Sequence, residues 1–338
     1  MLFRADGGSS VGMGHLVRTH ALTQCLQARG VTVRFLTRPG AGEAWLRAHR
    51  VAVDVLAADA GTREDAEIVK GTVSERRTDV IVTDGYAFRT DYLASLVSIG
   101  IPIASIDDLA GWPFPSALVV NGGIGATRLR YDVSPGTLVL QGPEFLLLRR
   151  PFRRRERGTE RVFPPVARSL LACFGGADPL DWTALVLETW ARLPVRPALH
   201  LVVGPAYERL EALRAVATSL GAVVHHDLGA EELADAMTSA DVAVASCGMV
   251  AGELLALGVP AILGVASEDQ RRNADTLKAL GAGHLVEPFA AGRLERALTE
   301  LLADPEARAA LSRAGADVVA GRGAERVADA ILSLGRAA

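Results

Sequence analysis

The chain has 338 residues, 49% of them hydrophobic and 22% charged, with a formal net charge of -3. That length suits two domains with ample cores, and the charge excludes the basic field expected of a nucleic-acid binder. Aromatic residues make up 5%, which leaves few platforms for stacking on single strands. Cys25, Cys173 and Cys247 stand far apart. Neither a disulfide framework nor a CxxC metal pair is expected, and a reducing cytoplasm is the expected compartment. The opening MLFRADGG breaks into charge and glycine too early for a signal peptide. No apolar run approaches the roughly 20 residues needed to cross a bilayer, so no membrane insertion is expected.

Short apolar runs alternate with longer amphipathic ones, the pattern of parallel strands covered by helices. In the first half, strands are predicted at Leu2–Arg4, Val31–Thr37, Val51–Val55, Val80–Val82, Ile103–Ile106 and Leu118–Val120. Helices fit between them, for example Leu16–Ala28 and Glu43–His49. The composition changes at 147–165, LLRRPFRRRERGTERVFPP, where arginines crowd before Pro164-Pro165. A solvated linker is the expected reading of such a charge run, with phosphate binding as the alternative. A second alternating series predicts strands at Ser169–Cys173, Leu199–Val203, Val223–His225, Val242–Ala245 and Ala261–Gly264. Helices at Leu294–Ala303, Pro305–Ala314 and Ala324–Leu334 close the chain. The expected fold class is therefore α/β, two doubly wound Rossmann-like domains facing a central cleft. The N-terminal domain would span 1–148, a basic linker 149–165 and the C-terminal domain 166–338. Ligands of such sheets lie beyond the carboxyl ends of the strands.

Three glycine turns follow predicted strands. The first, Asp6-Gly7-Gly8-Ser9-Ser10-Val11-Gly12-Met13-Gly14-His15, opens the first helix. Glycines allow a sharp turn and close approach to a ligand, and a helix N-terminus suits a phosphate or developing oxyanion. His15 falls in the first helical turn, where the macrodipole favours the neutral imidazole that a general base requires. The alternative is a histidine that packs or caps the loop. His20, His49, His200, His225, His226 and His284 have no comparable setting and read as structural or surface residues.

The second turn, Ser246-Cys247-Gly248, leads from a buried strand into a helix carrying Glu253. A diphosphate could rest on that helix N-terminus while the carboxylate holds ribose hydroxyls. The third, Phe174-Gly175-Gly176-Ala177-Asp178-Pro179, follows a strand of the same half, and Asp178 reads as a helix cap. Asp107 and Asp108 are adjacent on a strand end and point to opposite faces, so joint chelation is not expected and no metal is predicted.

Taken together, these motifs resemble the nucleotide-sugar hydrolase of the pseudaminic acid pathway and the related spore-coat polysaccharide proteins. That family is itself similar to the glycosyltransferase that completes lipid II. The residues carrying the resemblance are FRADGGSSVGMGHLVR, TDGY at 83–86, SIDDL at 105–109, Asn121, GPEFLLLR at 142–149, CFGGADP at 173–179, AGELLALGVP at 251–260 and EDQ at 268–270. The resemblance implies a GT-B fold with the nucleotide bound mainly by the C-terminal half. It implies His15 as the base that activates the nucleophile. Gly12, Gly14, Arg18, Tyr86, Asp107, Asn121, Asp269 and Gln270 would lie on the substrate side. Gly175, Gly176, Cys247, Gly248, Met249, Val250 and Glu253 would bind the nucleotide diphosphate.

Two departures stand out. Met249 and Val250 replace the two small hydroxyl residues usual after the glycine, and Asp269 replaces the Asn usual before Gln270. An amide can donate to a sugar or phosphate oxygen, whereas a carboxylate only accepts. Two functions follow from the resemblance. The first is an inverting, metal-independent glycosyltransferase passing a sugar to an amine or hydroxyl of a small-molecule acceptor. The second is a hydrolase releasing UDP and a free 2,4-diacetamido-2,4,6-trideoxy sugar. Either would use the nucleotide-diphosphate sugar as substrate and no cofactor.

Overall fold

The computed structural model describes residues 1–8, 11–153 and 161–337, apart from the side chains of Asp269, Arg336 and Ala337. It divides into two compact units, Met1–Arg150 with Arg322–Ala338, and Pro151–Gly321. Part of the expected basic linker, residues 154–160, lies outside the described residues.

The first unit runs β1 (Leu2–Ala5), α1 (Gly14–Gln27), β2 (Arg34–Thr37), α2 (Ala41–Ala48), β3 (Ala52–Val55), α3 (Arg63–Glu75), β4 (Ile81–Asp84), α4 (Thr90–Val97), β5 (Ile103–Ile106), β6 (Leu118–Asn121) and β7 (Leu138–Gln141). These strands form one sheet in the order β3-β2-β1-β4-β5-β6-β7, with every pairing parallel. Helices cover both faces, so the central strands are buried throughout instead of alternating. Within β1, Phe3 and Ala5 join a core with Leu16, Leu22 and Leu26 of α1, while Leu2 joins a second core with Val69 and Leu93. The chain order reverses between β1 and β4. In an open parallel sheet the crevice forms at that switch point, beyond the carboxyl ends of the two strands.

β7 is absent from the sequence-predicted strands. Its four residues LVLQ form a short, partly exposed edge strand between Gly136 and Gly142.

The second unit runs β8 (Ser169–Cys173), α5 (Trp182–Ala191), β9 (Ala198–Val203), α6 (Leu210–Leu220), β10 (Val223–His226), α7 (Ala230–Ser239), β11 (Val242–Ser246), α8 (Met249–Ala256), β12 (Ala261–Gly264), α9 (Arg271–Ala279), β13 (His284–Leu285), α10 (Ala291–Ala303) and α11 (Pro305–Val318). Its parallel sheet has the order β10-β9-β8-β11-β12-β13, with the switch point between β8 and β11. The Gly175-Gly176 turn follows β8 and the Gly248 turn follows β11, so the two lie side by side at that switch point.

The last helix, α12 (Gly323–Ala337), returns to the first unit. Sequence alone groups it with 166–338. Its Ala324, Val327, Ala328 and Ile331 instead pack into the core containing Phe3, Leu16 and Leu22. Gly323 permits the crossing, because a Cβ there would lie 2.3 Å from the backbone oxygen of Leu146. The amphipathic pattern specifies a helix with one apolar face but not which core that face meets.

Candidate active site

In the first unit, the glycine loop carries the chain from the end of β1 into α1. Gly8 N donates to Gly12 O at 3.1 Å, and Gly12 holds φ +72°, a left-handed turn that a side chain would strain. Ser9 and Ser10 lie outside the described residues. Gly14 begins α1 and puts His15 in its first turn, as expected, with His15 only 7% exposed.

The Nδ1 of His15 lies 2.7 Å from Oδ1 of Asp84, the last residue of β4. Across the switch point, a helix start and a strand end therefore bring an imidazole and a buried carboxylate together. Arg18, one turn along α1, donates to Asp84 through Nε at 2.7 Å and Nη2 at 2.6 Å. Its Nη1 donates to both oxygens of Asp108, at 2.7 and 2.8 Å. Nη2 also lies 3.2 Å from His15 Nδ1. Nδ1 cannot both accept from Arg18 and donate to Asp84. The shorter contact to a carboxylate is the stronger one, so Nδ1 carries the proton and Nε2 the lone pair.

Burial alone would raise the Asp84 carboxyl, but Arg18 and His15 beside it hold it below the usual carboxylate range. Burial disfavours the Arg18 cation, but Asp108 and Asp84 outweigh this and fix it as charged. Tyr86 sets its ring edge-on to His15, with centroids 4.9 Å apart, and its hydroxyl donates to Asp108 at 3.2 Å.

Three residues expected on the substrate side are engaged by partners within their own unit. The Arg18 guanidinium is engaged by two carboxylates of its own unit, so it shapes the site from within. Asp107 is buried, and its Oδ2 accepts from Leu109 N, Ala110 N and the Tyr131 hydroxyl at 2.6–2.8 Å. Burial pushes its carboxyl upward despite those bonds. Asn121 is also buried, donating to Tyr131 at 2.9 Å and accepting from Gly123 N at 2.9 Å. Asp107 and Asn121 thus hold the loops after β5 and β6 through Tyr131. Asp84 and Asp108 lie inside TDGY and SIDDL but are not among the site residues expected from sequence. A carboxylate ending a parallel strand beside the switch point is the signal that could have found Asp84.

In the second unit, Gly248 caps α8 and no acidic residue occupies the first turn of that helix. Its backbone N–H groups keep their partial positive charge. The turn is held by Asn273, whose Nδ2 donates to Cys247 O at 3.0 Å. Gln270 Oε1 accepts from Ala266 N at 3.2 Å, and its Nε2 lies 3.3 Å from where a Cβ on Gly248 would stand. That orientation presents amide donors beside the turn. Met249 and Val250 are partly buried, while Glu253 is buried within α8. Cys247, expected among the nucleotide-binding residues, buries its thiol completely, and burial pushes that thiol up to about 12. Only its backbone can contribute.

Gly176 O accepts from Ala206 N, which fixes the Gly175-Gly176 turn. Asp178 accepts from Trp182 N at 3.0 Å and Thr183 N at 2.7 Å, the capping of α5 expected from sequence. The side chain of Asp269, singled out as a departure, lies outside the described residues. Among the described residues, no three His, Cys, Asp or Glu side chains cluster as metal ligands, and no helix is long and apolar enough to cross a membrane.

Residues 183–318 match the family of glycosyl transferases group 1. The chain is 25% identical over 333 residues to the spore coat polysaccharide biosynthesis protein SpsG of Bacillus subtilis, covering 96% of this chain and 95% of that protein. It is 24% identical over 294 residues to MJ1062, an uncharacterized protein of Methanocaldococcus jannaschii, spanning 83% of this chain but 58% of that relative. Among solved structures, MurG of Acinetobacter baumannii aligns with a TM-score of 0.69 at 16% identity, over 98% of this chain and 99% of that one. The fold is GT-B. In this GT-B chain the group 1 match begins in α5 and ends in α11, taking in the Gly248 turn, Glu253 and Gln270.

Proposed function

We propose that the chain is an inverting glycosyltransferase acting at the anomeric carbon of a nucleotide-diphosphate sugar. The sugar passes to a hydroxyl or amine of a small acceptor, with His15 as general base. The observation that carries this reading is the 2.7 Å contact between His15 Nδ1 and the buried Asp84. It leaves Nε2 as the nitrogen able to take a proton, and the carboxylate steadies the imidazolium that results.

In the proposed step, Nε2 removes the proton of the acceptor group as its oxygen or nitrogen bonds to the anomeric carbon. The bond from that carbon to the diphosphate breaks on the opposite face, and the nucleoside diphosphate leaves with the electron pair. A diphosphate is already a good leaving group, so its charge needs neutralising more than it needs a proton. The N–H groups at the start of α8 can do this without reorganising. Glu253 would hold the ribose, and Gln270 Nε2 would donate to the sugar or phosphate. The group 1 match over the second unit supports this division of labour. General-base assistance of this type contributes on the order of 10²–10⁴-fold.

The test is mass spectrometry of the purified protein with UDP-, ADP-, GDP- and dTDP-sugars, with and without a small-molecule extract. Turnover requiring the extract, with a sugar mass added to one component and the anomeric configuration inverted by NMR, supports the reading. Free sugar and nucleoside diphosphate formed without the extract assign water as the acceptor, the pseudaminic-pathway type of chemistry. Full turnover by His15→Ala removes the base.

A further inference from the structure

The side chains around His15 close into a ring. His15 bonds Asp84, Asp84 takes two N–H groups of Arg18, Arg18 gives its third nitrogen to Asp108, and Asp108 accepts from Tyr86, whose ring returns to His15. Arg18 from α1, Asp84 from the end of β4 and Tyr86 from the loop after it all contact the His15 ring. Asp108, from the loop after β5, stands behind Arg18. A single guanidinium is thus divided between two carboxylates, Asp84 beside His15 and Asp108 beyond Arg18. Asp108 draws part of the Arg18 charge away from Asp84, which favours an imidazolium forming at His15.

We infer that Asp108 is a positioning residue that sets the charge of the base site, acting through Arg18. By sharing the Arg18 charge it strengthens the pull of Asp84 on the proton His15 receives from the acceptor. Arg18 has the complementary task of clamping both carboxylates in place, with side chains 12% exposed for Arg18 and 0% for Asp84. This inference rests on His15 being the base, but its test needs no turnover.

The test is an NMR titration of the His15 imidazole in the free, isotope-labelled protein. In Asp108→Asn the carboxamide still accepts from Arg18 but one negative charge is gone. The titration midpoint should fall by about half a pH unit or more. In Arg18→Gln a positive charge is gone, and the midpoint should rise. Arg18→Lys keeps the charge without the fork, and where Arg18→Gln does not fold its midpoint should lie close to wild type, well above that of Asp108→Asn. Tyr86→Phe changes no charge and should leave the midpoint in place. Shifts of opposite sign for Asp108→Asn and Arg18→Gln support the inference, because merely loosening the site moves both the same way. Shifts of one sign, or an unmoved midpoint in a folded Asp108→Asn, overturn it. Once a donor is known, the acid limb of kcat/KM in Asp108→Asn should move to lower pH with the titration. A protein inactive on every donor counts against the proposed reaction alone and leaves the titration result standing.

Discussion

Replacing Asp84 by Asn tests the candidate site most sharply, because its geometry predicts both the sign and the size of the effect. Oδ1 of Asp84 receives N–H groups from His15 at 2.7 Å and Arg18 at 2.6 Å, whereas Oδ2 receives, among the described residues, Arg18 Nε alone at 2.7 Å. An Asn carboxamide will therefore place its oxygen at the Oδ1 position, where two donors converge, and its NH₂ against the single Nε. His15 keeps its proton on Nδ1 and its lone pair on Nε2. What is lost is the charge on the acceptor. Hydrogen bonds to charged groups contribute about 1.5–3 kcal/mol, against about 1 kcal/mol for neutral ones. The NH₂ facing Arg18 Nε adds a donor–donor contact. A loss of about 2 kcal/mol in stabilising the imidazolium corresponds to about a 30-fold fall in kcat/KM. His15→Ala removes the base itself and should cost on the order of 10²–10⁴-fold. Initial rates of nucleoside diphosphate release, measured with the best donor of the panel, should rank wild type above Asp84→Asn and Asp84→Asn above His15→Ala. An Asp84→Asn rate equal to wild type, or below that of a folded His15→Ala, would refute the dyad.

Three further outcomes follow from the packing. Arg4 and Asp65 are both fully buried, paired at 2.9 Å, with Tyr92 and Gly61 N also donating to Asp65. Asp65→Asn should lower the unfolding free energy by about 3 kcal/mol, the low end for a broken buried pair because Asp6 still contacts Arg4 at 2.7 Å. Urea midpoints at constant slope will show this. Ile331→Ala should cost about 2–5 kcal/mol and speed hydrogen exchange in α1 and β1, not in β8 or β11, because Ile331 packs in the first unit's core. His20 is buried, and that burial together with His49 and Arg149 holds its imidazole down to about 4. Its folded value lies below the unfolded 6.5, so its contribution is complete above pH 6.5 and is lost as the pH falls toward 4. Thermal melts across that window should show a loss of about 2 kcal/mol, discounted for the solvent that reaches the ring, and His20→Gln should flatten it.

Much of this protein was legible in the order of its residues. Apolar runs separated by amphipathic stretches specify two parallel, doubly wound sheets, because a strand covered on both faces must be apolar throughout. Glycine turns after strands mark where a strand leads into a helix, since glycine tolerates the backbone conformations that such a sharp turn requires. The placing of His15 in a first helical turn, of Gly248 at a helix start and of Asp178 as a cap was legible in this way. Local chemistry decided those features, and local chemistry is written in adjacent letters.

Other features depended on which distant segments meet. Arg18 and Asp107 carry the charge expected of substrate-binding groups, yet the fold closes Arg18 onto Asp84 and Asp108, and Asp107 onto Tyr131. The closing helix shows an apolar face in its sequence, but α1 packs against it, more than 290 positions back along the chain. Asp84 looked like one more residue of TDGY until β1 and β4 lay side by side and set it against His15. A sequence records which groups are available. The strand order of a sheet determines which of them share a proton, because hydrogen bonds and ion pairs act over a few ångströms in space regardless of separation along the chain.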